Sequence, residues 1–182
     1  MAKISKGFGE LFKQQRKLQN SSSTKPSTIK IQNQNSTPPP RNYEEQEQRI
    51  GGIVGLDRDG EINFVSEKTL NSFYEYLVQN LTLPCEVTGS EDFPWEEYYI
   101  IGGGSKKEHN KLRKTKPSYL DTYDLLKVVY TVEDYSELMV AVKRTSDKKK
   151  FTLSLADLEA TDGNSQNYQL IDDYAFWYVN WR

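Results

Sequence analysis

The chain has 182 residues with 24 Lys plus Arg, 26 Asp plus Glu and only 36% hydrophobic residues, which fits one ordinary domain with a polar extension. No apolar run approaches the roughly 20 residues of a membrane span, and the N-terminus lacks the apolar centre of a secretory signal, so the expectation is a soluble, cytoplasmic protein without a membrane span. A single cysteine, Cys85, excludes an intramolecular disulfide, and a single histidine, His109, excludes a His-rich zinc site. His109 lies in a strongly charged run, Ser105 to Lys114, expected to be solvated, so nothing supports a Ser-His-Asp or Cys-His mechanism.

Charge divides the chain. Residues 1–42 carry eight basic groups and one acid, and residues 43–182 carry 16 basic and 25 acidic groups. The acidic part has no general attraction for phosphate backbones, so no nucleic acid is expected; cations and basic proteins are the partners it suits.

Residues 1–19 place Ile4, Phe8, Leu11 and Phe12 near helical spacing among lysines, which predicts a short basic amphipathic helix. Residues 20–42 are polar and punctuated by proline, with almost no apolar groups to offset the entropy of ordering. The division predicted is therefore a disordered basic arm over 1–42 and one globular domain over 43–182.

Within that domain, residues 43–49 suit a helix. Two apolar runs, one starting at Ile50 and one at Glu61, flank Asp57-Arg-Asp-Gly60 and predict a β-hairpin. An EF-hand reading of that turn fails: with Gly60 at position 6, Gly55 and Ser66 fall on positions 1 and 12, where the first ligand and the closing Glu belong. Ser66 then caps a helix whose apolar face is Leu70, Phe73, Tyr74, Leu77 and Leu81; Pro84 ends it and Cys85 starts a strand. Residues 91–104 read as a strand running into the loop Gly102-Gly-Gly104. Ser105 and Glu108 have capping-box spacing for a short basic helix before Pro117. Runs from Tyr123, Leu138 and Phe151 predict three consecutive antiparallel strands. A short 3₁₀ turn near Ala156 and a terminal helix over 165–178 complete the chain.

The carboxylates fall into three groups: Glu91, Asp92, Glu96 and Glu97; Glu133, Asp134 and Glu137; and Asp157, Glu159 and Asp162. Hard cations take six to eight oxygens, and clustered acids in strand-connecting loops can supply them, so Ca²⁺ is the cofactor these groups suit. Glu96 and Glu97 are adjacent, and on a strand they would point to opposite faces, which spoils a paired-carboxylate enzyme.

The order of the helix bearing Phe73-Tyr-Glu-Tyr-Leu, the acidic stretch Glu133-Asp134 with Glu137-Leu-Met-Val, the run Phe151-Thr-Leu-Ser-Leu-Ala-Asp-Leu-Glu and the segment Asp172-Asp-Tyr-Ala-Phe-Trp resembles the bacterial CcbP-type calcium-binding protein family, over roughly residues 66–178. The resemblance implies a small acidic, non-catalytic, cytoplasmic protein that binds Ca²⁺ as a buffer or signalling component, with a compact SH3-like β-barrel between helices. The long segment 91–122 and the basic arm depart from the compact pattern. The fold expected is thus α+β, a small antiparallel SH3-like barrel or sheet packed with two helices. Its metal-ligand candidates are Glu133, Asp134, Glu137, Asp157 and Glu159. An acidic module of immunity or adaptor type, receiving a basic protein partner on its aromatic surface, is the alternative function.

Overall fold

The computed structural model describes residues 40–129 and 137–182. Backbone contacts divide the chain into Met1–Gln34 and Asn35–Arg182, and every described residue lies in the second unit. The basic helix expected over 1–19 and most of the arm up to residue 42 lie outside the described residues.

Helix α1 (Tyr43–Val54) starts where Asn42 Oδ1 accepts the Glu45 N–H, with Glu44 and Glu45 favourably placed in the first turn. It runs on through Gly51 and Gly52 into the residues expected to open a hairpin. Packing explains the difference, since a Cβ at Gly51 would lie 2.9 Å from Leu56 Cδ2 and the glycine lets the returning chain close on the helix. All that remains of the hairpin is one bridge, Leu56 to Ile62, around a turn in which Asp57 Oδ1 accepts the Asp59 and Glu61 N–H groups at 2.9 Å.

Helix α2 (Glu67–Asn80) has the N-cap expected at Ser66, which the Thr69 hydroxyl extends into a capping box, and buries Leu70, Phe73 and Leu77. That face meets α5 (Gln166–Asn180), where Phe73 stacks on Trp177 at 5.1 Å and meets Tyr174 edge-on at 5.3 Å. Helix α1 joins the same layer through Arg49, which donates two 2.8 Å hydrogen bonds to the buried Asp173 carboxylate. Arg41 reaches Asp172 beside it.

The sheet contains β1 (Cys85–Gly89), β2 (Thr122–Val129), β3 (Met139–Arg144), β4 (Lys150–Ser154) and β5 (Leu158–Ala160) in the order β4-β3-β2-β1-β5, every pair antiparallel. Tyr123 and Leu125 of β2 and Val140 and Val142 of β3 alternate into the core, as a half-buried sheet requires. A register shift between Leu125 and Lys127 adds one residue to β2.

The three consecutive strands were legible in sequence, but the expected SH3-like barrel with two helices is not what forms. The sheet is open: β4 pairs only with β3 and β5 only with β1, and β5 has three residues, too few to extend a ladder. Five α-helices occur among the described residues. Two of them, α3 (Glu97–Ile100) and α4 (Lys106–Leu112), fall in the segment between β1 and β2. Residues 91–101 make turns and α3 rather than a strand because the Glu96 side chain is drawn inward, as described below.

Candidate metal centre

The turn after β4 gathers carboxylates from distant parts of the chain. Leu155 is buried and its N–H donates to Leu138 O at 2.9 Å, which fixes the 3₁₀ turn Leu155–Asp157 beside the start of β3 and therefore beside Glu137. Asp157 O accepts the Ser90 N–H at 2.9 Å, which brings the residue after Ser90, Glu91, to the same place. Asp157 is half-buried. Its carboxyl is held above the ordinary carboxylate range, first by loss of solvent and then by the negative charges of Glu137 and Glu91.

The wall behind these acids is aromatic. Tyr174 Oη accepts the Leu138 N–H at 2.7 Å, and burial pushes the Tyr174 hydroxyl well up and the Tyr178 hydroxyl up, with Glu137 and Asp157 adding to the shift of both. Ser154 Oγ, at the N-cap of the turn, is shielded from solvent and has no hydrogen-bond partner among the described residues.

The donors fit a hard cation. Asp157, Glu137 and Glu91 offer oxygens alone, and three like charges near a poorly solvated surface are what a bound divalent ion would compensate. Among the described residues no group of three His, Cys, Asp or Glu side chains stands close enough together to hold a metal ion, so Asp157, Glu137 and Glu91 do not by themselves form a site. Two further candidates, Glu133 and Asp134, lie in the segment 130–136 outside the described residues, which leads directly into Glu137.

The other carboxylates belong to neighbouring elements. Glu159 sits opposite Thr88 in the β1–β5 pair, and with Leu158 and Ala160 turned into the core its side chain faces the other way. Asp162 Oδ1 accepts the Asn164 N–H in the turn before α5. Glu96 is fully buried and accepts hydrogen bonds from Ser118 Oγ at 2.7 Å and Tyr119 N at 2.9 Å, with His109 Nε2 at 3.0 Å. His109, expected in solvent, instead stacks on Tyr99 at 5.2 Å with the rings 8° apart. Sequence reasoning put Glu91 in a separate group from Asp157, because only the pairing of β1 with β5 makes them neighbours.

Residues 106–178 match the family model Calci_bind_CcbP, described as calcium binding. No curated protein matches the chain. Among solved structures, one described as the crystal structure of Anabaena CcbP is 20% identical, covering 78% of this chain and 94% of its own, with a TM-score of 0.47. Another, described as a calcium binding protein in the calcium-binding form, is 21% identical over 75% of this chain and 90% of its own, also with a TM-score of 0.47. The resemblance to the CcbP-type family is borne out over the region that the family model matches.

Proposed function

From a CcbP-type match spanning α4 to α5, we propose that this is a non-catalytic calcium-binding protein whose ion sits among Asp157, Glu137 and Glu91 and is completed by Glu133 and Asp134. The observation that supports this most is the Asp157 carboxyl, held half-buried against two other acids with no basic side chain paired to it among the described residues. An irregular carboxylate loop supplies about seven flexible oxygens more readily than a tight octahedron, so Ca²⁺ is preferred over Mg²⁺. A cytoplasmic buffering or signalling role, and the division into an arm over 1–42 and a domain from residue 43, belong to the same proposal. No helix of the described residues is long and apolar enough to cross a membrane.

Isothermal calorimetry of the full chain with calcium, and with magnesium as control, tests it. Calcium should bind and magnesium should bind more weakly. No heat of binding at millimolar calcium would reject the function. Unchanged calcium binding after replacing Glu133 and Asp134 with Gln and Asn would place the ion elsewhere.

A further inference from the structure

Helices α3 and α4 form a tight hairpin that the calcium reading does not use. A Cβ at Gly104 would lie 2.3 Å from the Tyr99 ring, so only glycine lets the connection close, and His109 of α4 then stacks on Tyr99 of α3. Trp95 Nε1 donates to Pro117 O at 2.7 Å, and the buried Glu96 ties the base of the hairpin to Ser118 and Tyr119. The hairpin is thus held firmly at its base.

Its tip is apolar and in solvent: Ile101 is 76% exposed, Tyr98 57% and Ile100 46%. Along α4, His109 and Leu112 turn inward while Lys106, Lys107 and Lys111 are exposed on the opposite side, with Lys114 following in the next turn. The β3–β4 turn extends this charge. Arg144 donates to Arg113 O at 2.9 Å and Lys116 O at 3.0 Å, and Lys149 Nζ reaches Lys114 O at 2.5 Å, which sets Lys148, Lys149 and Lys150 beside the end of the helix. Against these lysines stand Glu97, Glu108 and Asp147; Asp147 pairs with Arg144 at 2.7 Å and with Lys149 at 3.2 Å, which leaves Lys148 and Lys150 as the turn's free contribution to the charge. A concentrated positive face therefore projects from a region, 43–182, that has nine more acids than bases by the counts above.

We infer that the α3–α4 hairpin, with the lysines of the β3–β4 turn, docks on an anionic lipid bilayer, the lysines meeting headgroups and Ile100, Ile101 and Tyr98 entering the acyl boundary. The shape selects this occupant. The apolar residues crown a projecting tip flanked by cations, and a bilayer offers both a negative surface and an apolar phase beneath it. A nucleic acid would satisfy the lysines and leave Ile101 in water, and a folded acidic protein would need a groove shaped to the tip.

Flotation of the full chain with phosphatidylcholine vesicles, with and without phosphatidylserine, tests the inference. Binding should require phosphatidylserine and weaken with salt. Each lysine near such a surface contributes about fivefold, so Lys106→Gln, Lys107→Gln and Lys111→Gln together should weaken binding about a hundredfold. Ile100→Ser with Ile101→Ser should also weaken it while leaving the salt dependence unchanged, and both variants should keep the parent melting temperature. Several results would overturn docking by this face: no binding to phosphatidylserine vesicles, equal binding to phosphatidylcholine alone, or full binding by both variants. So would binding to a DNA duplex that the lysine variant loses and the isoleucine variant keeps, in the absence of vesicle binding, which would assign the face to nucleic acid.

Discussion

Replacing Asp157 with Asn removes one negative charge from the proposed metal centre and keeps nearly the same shape. The Asp157 carboxyl is held above its ordinary value by burial, Glu137 and Glu91, so ionising it is harder in the fold than in the unfolded chain. The metal-free protein is therefore most stable, with respect to this group, below the unfolded carboxylate range, and loses that stability as pH rises through the raised native value. Asp157→Asn should flatten this decline above the unfolded carboxylate value of about 4 and leave the metal-free melting temperature at pH 7 level or higher. Calcium reverses the sign. At a hundred times its dissociation constant it stabilises the parent by about 2.7 kcal/mol, or about 8 °C at about 3 °C per kcal/mol for a chain of this size. A tenfold weaker site loses about 1.4 kcal/mol of that, so the variant's calcium shift at the same concentration should be about half. Scanning calorimetry across pH 4–8, with calcium and with chelator, reads both effects. A variant that keeps the full calcium shift, or that is less stable than the parent without calcium at pH 7, would refute the assignment of Asp157.

Leu77→Ala should cost about 2–5 kcal/mol in urea denaturation, because the side chain is fully buried between α2 and the core; a cost under about 1 kcal/mol would contradict that packing. Arg144→Met should cost about 3–5 kcal/mol, since the nearly buried guanidinium pairs with Asp121 and Asp147 and holds three backbone carbonyls of 113–116, and proteolysis should then cut that segment first. The same pair predicts acid sensitivity. Arg144 holds the Asp147 carboxyl far below its usual range, so the stability it provides is present above the unfolded carboxylate value and is lost as pH falls, a slope that Arg144→Met should remove in pH-dependent melting. Saturating calcium should change vesicle binding by less than about twofold, checked by flotation with calcium and with chelator.

What could be read from the sequence followed from periodicity. The stripe Leu70, Phe73 and Leu77 behind Ser66, and the alternation in the runs from Tyr123 and Leu138, are local signals that tertiary packing reinforces. The hairpin at 50–64 was misread because two apolar runs flanking Asp57–Gly60 suggest paired strands, whereas the first run continues α1 and Gly51 lets the returning chain pack against it through Leu56. The buried position of Glu96 was hidden for a different reason: its partners, Ser118, Tyr119 and His109, are 13 to 23 residues away and have no fixed spacing. Three of the acids at the metal centre share that difficulty. Glu91, Glu137 and Asp157 meet through the pairing of β1 with β5 and the Leu155–Leu138 hydrogen bond, neither of which leaves a mark in the local sequence.

The two charged regions are kept apart by β3. Glu137 precedes the strand and Lys148–Lys150 follow it, so the five steps from Met139 to Arg144, at about 3.3 Å each, put about 17 Å between the acidic end and the lysine turn. That separation is about two Debye lengths at physiological salt, so an ion bound beside Glu137 barely alters the field at Lys149. Arg144, at the end of β3, is the residue that keeps the arrangement fixed: its hydrogen bonds to Asp121, Asp147 and the carbonyls of 113–116 fasten the segment after α4 to the sheet. Because a guanidinium is nearly always charged, this fastening depends on the acids it meets and not on calcium. The lysine face thus keeps its form whether or not the carboxylates hold an ion, and the two proposed activities can share one sheet without being coupled.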